Sequence, residues 1–377
     1  MILPVDKDKA TDALLALFSE RGLKRVDPPI LQPASVFLDL SGEDIRRRLY
    51  LVQDPSGAEL CLRPDYTIPV SLAHLAGPSA EQAAGYSYLG PVFRYRPQQT
   101  EPGEFIQAGI ELYGIEDRDH ADAEIVALSL DAVGRFGLKT PEIRLGDPNL
   151  FMAFVRALGL PAPWPRRLSS AFGRPGGLSE VLSDTAAADS ADDRRTTFLA
   201  GLVRSDPGAA RAAVEEMVAM AGIAPIGGRS PAEIAERLLE QAEMAAGGLD
   251  DRAREVLKRA AAVRGEPESA LKQFTALAEE YGLDLNDELV ALARRLLTMV
   301  ERGIPLERVT FAAEFGRRLD YYTGFVFEIY DPARREVGQV VGGGRYDTLL
   351  SRLGASSEIP AVGCAIWVDR MFEELPA

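Results

Sequence analysis

An α+β fold built on an antiparallel sheet, with a mainly helical insertion, is what this sequence predicts. Three observations carry the expectation. Strand-forming runs come in pairs joined by short turn-rich loops, as hairpins do. These runs gather near the two ends of the chain, before residue 149 and after residue 305. The stretch between them is rich in Ala, Leu, Arg and Glu and poor in strand formers. Hairpin-joined strands favour an antiparallel sheet over a doubly wound parallel one. The expected division is a core of residues 1–148 and 306–377 interrupted by an insertion at 149–305.

Residues 7–22 open the fold as an amphipathic helix, with Leu14, Leu17 and Phe18 on one face and Gly22 as its stop. Pro28-Pro29 begins an extended stretch, and Tyr50 to Leu62 reads as a hairpin around the turn Asp54-Pro55-Ser56-Gly57. A helix from Thr67 carries Ile68, Leu72 and Leu75. Tyr88–Tyr95 and Phe105–Tyr113 follow as two strands joined by a Pro/Gln/Gly loop. Asp119–Phe136 is helical, with acids at its start, where the helix dipole favours them, and Gly137 at its close.

In the insertion, Pro161–Pro165 and Gly222–Gly228 read as joints and Thr185–Asp193 as a loop. Ser230-Pro231-Ala232-Glu233 is a capping box with proline at the first helical position. Residues 287–302 place Leu289, Leu292, Leu296, Met299 and Val300 on one face, with Asn286 as cap and Gly303 as stop. Strand signals return at Val309-Thr310-Phe311 and in a hairpin of Gly324–Tyr330 with Val337–Val341. Gly342-Gly343-Gly344-Arg345-Tyr346-Asp347 is expected to open a helix through Leu349, Leu350 and Leu353. Pro360–Leu375 runs from a short strand into a terminal helix, and the sequence contains no internal repeat.

Composition narrows the function. The 377 residues are 46% hydrophobic and 26% charged, as in a globular protein of two or three domains. No run approaches the roughly 18–20 apolar residues of a membrane helix. The start, Met1 to Lys9, has no basic region followed by an apolar run, so a cytoplasmic protein without a secretory leader is expected. Cys61 and Cys364 are far apart in apolar settings and read as reduced buried thiols. With His74 and His120 as the only histidines, no metal site and no cofactor are expected. The net charge of −15 weighs against nucleic acid as a partner, because such proteins replace phosphate counterions with basic side chains.

Four segments place polar groups where a plain core would not: Leu62-Arg63-Pro64-Asp65-Tyr66-Thr67, Phe93-Arg94-Tyr95-Arg96-Pro97-Gln98 with its return strand to Glu111, Arg317-Arg318-Leu319-Asp320-Tyr321-Tyr322, and Gly342 to Asp347. On the return strand Gln107 and Glu111 share a face opposite Ile106 and Ile110. If Arg94 shares that face, the surface suits a small zwitterion: a carboxylate for its ammonium and an arginine for a carboxylate or phosphate.

In this order, with the helical insertion between the second and third, the four segments resemble the catalytic core of class II histidyl-tRNA synthetases. The resemblance implies a class II antiparallel core. It also implies a histidine site of Asp65, Thr67, Arg94, Gln107, Glu111, Arg317, Tyr321 and Tyr322. Phe93-Arg94 to Glu111 is similar to class motif 2, Arg317 to Tyr322 to the histidine-specific motif, and Gly363 to Arg370 to class motif 3. A homodimer through Pro28 to Leu40, the motif 1 region, is implied as well.

The departures from the family pattern are chemical. Motif 2 is one residue shorter here and lacks the glutamate that approaches the nucleotide. Trp367 stands where motif 3 has a glycine, and Arg318 replaces the glycine of the histidine motif. Arg96, Trp367 and Arg370 therefore mark a degenerate nucleotide site. Seven residues follow Arg370, so no anticodon-binding domain is expected. A pocket that keeps its amino-acid contacts and loses its nucleotide contacts resembles the truncated synthetase paralogues that regulate short-form ATP phosphoribosyltransferase, the first enzyme of histidine biosynthesis. That resemblance implies a chain with no catalytic residues, a homodimer within a larger hetero-oligomer, and histidine as its feedback ligand. Two other readings stay open at this point: a minimal synthetase that still activates an amino acid, and a tRNA-binding sensor.

Overall fold

Pairing along the chain brings the two strand-rich ends into one sheet. The computed structural model describes residues 7–40, 46–96, 102–161, 163–172, 176–183, 249–316 and 321–372, with 208, 211, 212 and 216. Its strands are β1 Lys24–Arg25, β2 Leu31–Pro33, β3 Leu51–Gln53, β4 Glu59–Leu62, β5 Ala84–Phe93, β6 Glu104–Tyr113, β7 Glu142–Gly146, β8 Arg264–Gly265, β9 Val309–Ala312, β10 Val326–Tyr330, β11 Gln339–Arg345 and β12 Ala361–Trp367. Nine form a sheet in the order β1-β5-β6-β12-β11-β10-β7-β9-β8, and β2-β4-β3 form a smaller one. Within the large sheet β1–β5 and β7–β9 are parallel, and the remaining pairs are antiparallel. The β6–β12 pair, Ala361 opposite Tyr113 through Trp367 opposite Gln107, joins the early strands to the late ones.

Strand alternation sorts the large sheet into two chemically different faces. Ala108, Ile110 and Leu112 of β6 and Val362, Cys364 and Ile366 of β12 face a core shared with the helices Lys7–Glu20, Arg118–Arg135 and Pro148–Ala157. The helices Asp251–Ala262, Pro267–Tyr281 and Asn286–Glu301 join the same core through Val256, Phe274 and Met299. The opposite face carries Phe105, Tyr113, Ala361 and Trp367 in a second cluster with Tyr66, Tyr88, Tyr321 and Tyr346.

Most elements form where local chemistry places them. Asp117 caps Arg118–Arg135 by accepting from the His120 N–H at 3.1 Å. Asp147 accepts from the Asn149 and Leu150 N–H groups at the head of Pro148–Ala157. Gly22, Gly137 and Gly303 take positive φ after their helices, the left-handed conformation that glycine adopts without a Cβ penalty.

Several expectations fail. Gly342–Arg345 is not a helix start but the second half of β11; the helix is only Leu349–Arg352. The glycines are there because the sheet has no room for side chains. A Cβ on Gly343 would lie 2.4 Å from the Gly363 carbonyl oxygen and 2.7 Å from Phe327 Cε1. β5 begins four residues before Tyr88 and ends at Phe93, since its pairing with β6 runs back to Ala84 opposite Tyr113. β7 has no counterpart in the expectation; it lies between β10 and β9. Asn286 is the first helical residue rather than the cap, and Asp284 accepts its N–H. Val300 is 51% exposed, off the face that buries Leu292, Leu296 and Met299. Pro163 opens a helix, Pro163–Ala171, within the expected joint. After Trp367 a short 3₁₀ turn, Asp369–Met371, stands where a terminal helix was expected to begin. The capping box at Ser230, the Gly222–Gly228 joint and the Thr185–Asp193 loop lie outside the described residues.

Candidate functional site

The site is built on the second face, around Glu111. β6 points Gln107 and Glu111 to that face, and both are fully buried. Glu111 lies directly over β12, because the residue opposite it is Gly363. A Cβ at Gly363 would stand 1.7 Å from Glu111 Oε2, so only glycine lets the carboxyl lie there. Thr67, at the head of the helix Thr67–Leu75, donates its hydroxyl to Glu111 Oε1 at 2.8 Å. Tyr346, just after β11, donates to Glu111 Oε2. Burial pushes the Glu111 carboxyl up to about 8, against the lowering effect of the Tyr346 and Thr67 hydroxyls.

Asp65 closes the same wall from the turn after β4. It is buried, and its carboxylate faces the backbone N–H groups of Thr67 and Ile68. Burial holds its carboxyl above the usual range, and the Arg94 guanidinium works against that. Both amide atoms of Gln107 are buried without a partner. Buried polar groups are nearly always satisfied, so the unpartnered Gln107 amide on this wall points to a polar ligand. Between them Asp65, Glu111 and Gln107 offer acceptors and one amide donor to such a ligand.

The aromatic residues roof this wall. Tyr321 is buried, 4.9 Å from the Tyr322 ring and 5.7 Å from that of Tyr346. Burial raises the Tyr321, Tyr346 and Tyr88 phenols well above their ordinary value, so all three remain hydroxyl donors. Tyr322 lies over the next glycine: a Cβ on Gly344 would be 3.0 Å from its Cδ1. Arg94 donates Nε to the Pro64 carbonyl at 2.7 Å, with its guanidinium 5.4 Å from the Phe105 ring centre. Arg317 lies outside the described residues, as do Pro97 and Gln98. The structure thus brings Asp65, Thr67, Arg94, Gln107, Glu111, Tyr321 and Tyr322 to one side of the sheet.

The residues expected of a nucleotide site are arranged differently. Trp367 sits opposite Gln107 and is buried in the second cluster. Arg370 places its guanidinium 5.2 Å from the Trp367 ring centre and donates Nη1 to the Gln339 carbonyl at 2.7 Å. The Arg96 guanidinium lies 5.2 Å from the Phe105 ring. Among the described residues, no group of three or more His, Cys, Asp or Glu could hold a metal ion. Nor is any described helix long and apolar enough to cross a membrane.

Two contributors escaped the sequence reading. Tyr346 sits in a segment that was singled out, but its bond to Glu111 spans 235 positions of chain. Gly363 owes its role to strand register, which no local pattern displays.

Comparison with known proteins adds a second line. The family model described as histidyl-tRNA synthetase matches residues 6–225 and 232–371. A Brucella anthropi protein named ATP phosphoribosyltransferase regulatory subunit is 41% identical over 363 residues, covering 96% of this chain and 95% of that protein. A Chelativorans protein of the same name is 39% identical over 362 residues, 95% of each. Among solved structures, a Bacillus halodurans ATP phosphoribosyltransferase regulatory subunit/histidyl-tRNA synthetase superposes with a TM-score of 0.65 at 21% identity, covering 98% of this chain and 79% of that one. A Nostoc histidyl-tRNA synthetase gives 0.63 at 17% identity, covering 97% and 70%. At these identities the structures establish a shared fold.

Proposed function

The chain belongs to the histidyl-tRNA synthetase family, and on that premise we propose that it is the non-catalytic regulatory subunit of ATP phosphoribosyltransferase. The observation that carries this reading is its 41% identity, over nearly its whole length, to a protein bearing that name. The chain performs no covalent chemistry of its own. It assembles with the short-form catalytic subunit in the cytoplasm, as a homodimer within a larger hetero-oligomer, and switches that subunit on.

Histidine is the feedback ligand, held in the pocket of Asp65, Thr67, Arg94, Gln107, Glu111, Arg317, Tyr321 and Tyr322. The unpartnered Gln107 amide beside buried Asp65 and Glu111 supports this assignment. Arg96, Trp367 and Arg370 occupy the remnant of a nucleotide site. The homodimer forms through the small sheet and Pro28 to Leu40, a reading supported by the exposed Ile30, Leu31, Leu51, Val52 and Tyr95. The described helices Pro163–Ala171, Gly177–Ser183, Asp251–Ala262, Pro267–Tyr281 and Asn286–Glu301, with the short β8, belong to a mainly helical insertion at 149–305.

The test is ATP phosphoribosyltransferase activity of the short-form catalytic subunit, with and without this chain, across a histidine titration. Activation by the chain, reversed by histidine, is the expected result. Glu111→Ala or Tyr322→Ala should abolish the inhibition and leave assembly intact. No effect of the chain on activity would overturn the reading, and histidine-dependent ATP–pyrophosphate exchange would establish a synthetase instead.

A further inference from the structure

At the end of β11 one peptide bond joins the two faces of the large sheet. Adjacent strand residues point to opposite faces. Tyr346 therefore reaches Glu111 on the pocket face, while Arg345 sends its guanidinium to the helical face. There its Nε and Nη2 both donate to Asp122 Oδ1, at 2.9 and 2.6 Å, and Nη2 also reaches the Arg118 carbonyl at 3.0 Å. Asp122 is fully buried, and its other oxygen accepts from Arg295 Nε at 2.8 Å. Arg295 lies in the helix Asn286–Glu301, and its Nη1 donates to Asp147 Oδ2 at 2.9 Å. Asp147 is the cap of Pro148–Ala157. One carboxylate thus grips both the strand end that carries Tyr346 and the helix Asn286–Glu301.

The strand end is itself held rigidly. Arg345 Nη1 donates to Asp347 Oδ1 at 2.9 Å, and the same oxygen accepts from the Ala361 N–H at 2.8 Å. The Asp347 N–H donates to Thr323 Oγ1 at 3.1 Å, next to Tyr322. A displacement of Tyr346 has few directions in which to relax, and Arg345 lies on the other side of the same peptide. Apolar packing would fasten a helix to a sheet at least as well as buried ions do. What charged hydrogen bonds add is sensitivity to direction, since they weaken steeply away from their preferred geometry.

We propose that Arg295, Asp122 and Arg345 are positioning residues that couple occupancy of the Glu111 pocket to the placement of the helix Asn286–Glu301. The inference rests on the reading of that pocket as the histidine site. A ligand ammonium that engages Glu111 competes with the Tyr346 hydroxyl, shifts the strand end, and alters the grip of Arg345 on Asp122. The helix responds through Arg295.

The test is hydrogen–deuterium exchange on the intact chain with and without L-histidine, alongside calorimetric titration of the same samples. In the unaltered chain, histidine should change exchange in the helix Asn286–Glu301. Arg295→Met should bind histidine within about threefold of the unaltered chain, because Arg295 contacts Asp122, Asp147, Asp119 and Phe325 on the helical face rather than the pocket wall. In that variant the exchange response of the helix should disappear, and inhibition of the assembled enzyme should weaken by about tenfold, an ordinary allosteric coupling. Arg295→Lys, which keeps a charge toward Asp122, should restore part of the response. Histidine binding to the unaltered chain with no change in that helix would overturn the relay, and so would an undiminished response in Arg295→Met. If calorimetry detects no histidine binding at all, the pocket assignment fails first and the relay falls with it.

Discussion

Affinity for histidine should rise about fivefold between pH 7 and pH 8, and the reason is Glu111. Its carboxyl is buried with two hydroxyl donors, and burial pushes it up to about 8. A ligand ammonium needs the ionised form, so below that value each binding event must first remove a proton. The dissociation constant then scales with one plus the proton-to-acid ratio, about 11 at pH 7 and about 2 at pH 8. The ligand's own imidazole, with an unperturbed pKa of about 6.5, contributes at most about 1.3-fold over the same window. Calorimetry at pH 7, 7.5 and 8, in buffers of different ionisation enthalpy, reads both the affinity and the proton released. Glu111→Gln, which cannot titrate, should bind more weakly and without this slope. An affinity that is flat from pH 7 to pH 8, or a slope that survives in Glu111→Gln, would refute the reasoning. The sign for folding is opposite: a folded value of about 8 against an ordinary 4.5 means stability that is present below 4.5 and lost as pH rises through 8.

Two further perturbations test the pocket floor and the dimer. Gly363→Ala places a Cβ 1.7 Å from Glu111 Oε2 and 2.7 Å from the Ile110 carbonyl oxygen, so the carboxyl must leave Thr67 and Tyr346. Overpacking and a displaced buried polar group together should cost about 2–5 kcal/mol and abolish histidine binding, read by thermal unfolding and calorimetry. Leu51→Asp, at a side of the small sheet where Leu51 is 54% exposed, should leave the fold unchanged and dissociate the dimer; light scattering after size exclusion gives the mass directly.

Much of the fold was legible because it is local. The hairpin of β3 and β4 announces itself through Asp54-Pro55-Ser56-Gly57, and Asp54 there accepts from the Ser56 and Ala58 N–H groups. The face shared by Gln107 and Glu111 follows from strand alternation alone, and the structure keeps it. What was not legible depends on register. A run of three glycines reads locally as a turn into a helix, but in the sheet it is a strand squeezed between β10 and β12. Nothing in the neighbourhood of Gly363 says that a glutamate from 252 positions earlier will lie across it. The Arg345–Asp122–Arg295 chain is hidden in the same way, since its members come from three separate elements.

The pocket face of the sheet sets two glycines and an indole side by side. Along one row, Glu111, Gly363, Gly344 and Val326 are successive cross-strand neighbours, and the two glycines leave space that Glu111 and Tyr322 occupy. On the neighbouring stretch Gln107 faces Trp367, whose indole fills the second cluster. Glycine beside a nucleotide permits close backbone approach; an indole in its place does not. Arg370 remains in the chain, but it stacks on that indole and donates to the Gln339 carbonyl. Transition-state stabilisation of phosphoryl chemistry needs positive charge aimed at the reacting phosphate. Here the arginine instead fastens β11 to the segment after β12. The Arg370 bond thus restrains β11, whose last residue precedes Tyr346, and on the proposed sensor reading it gives ligand occupancy a restrained strand to displace rather than a substrate bond to break.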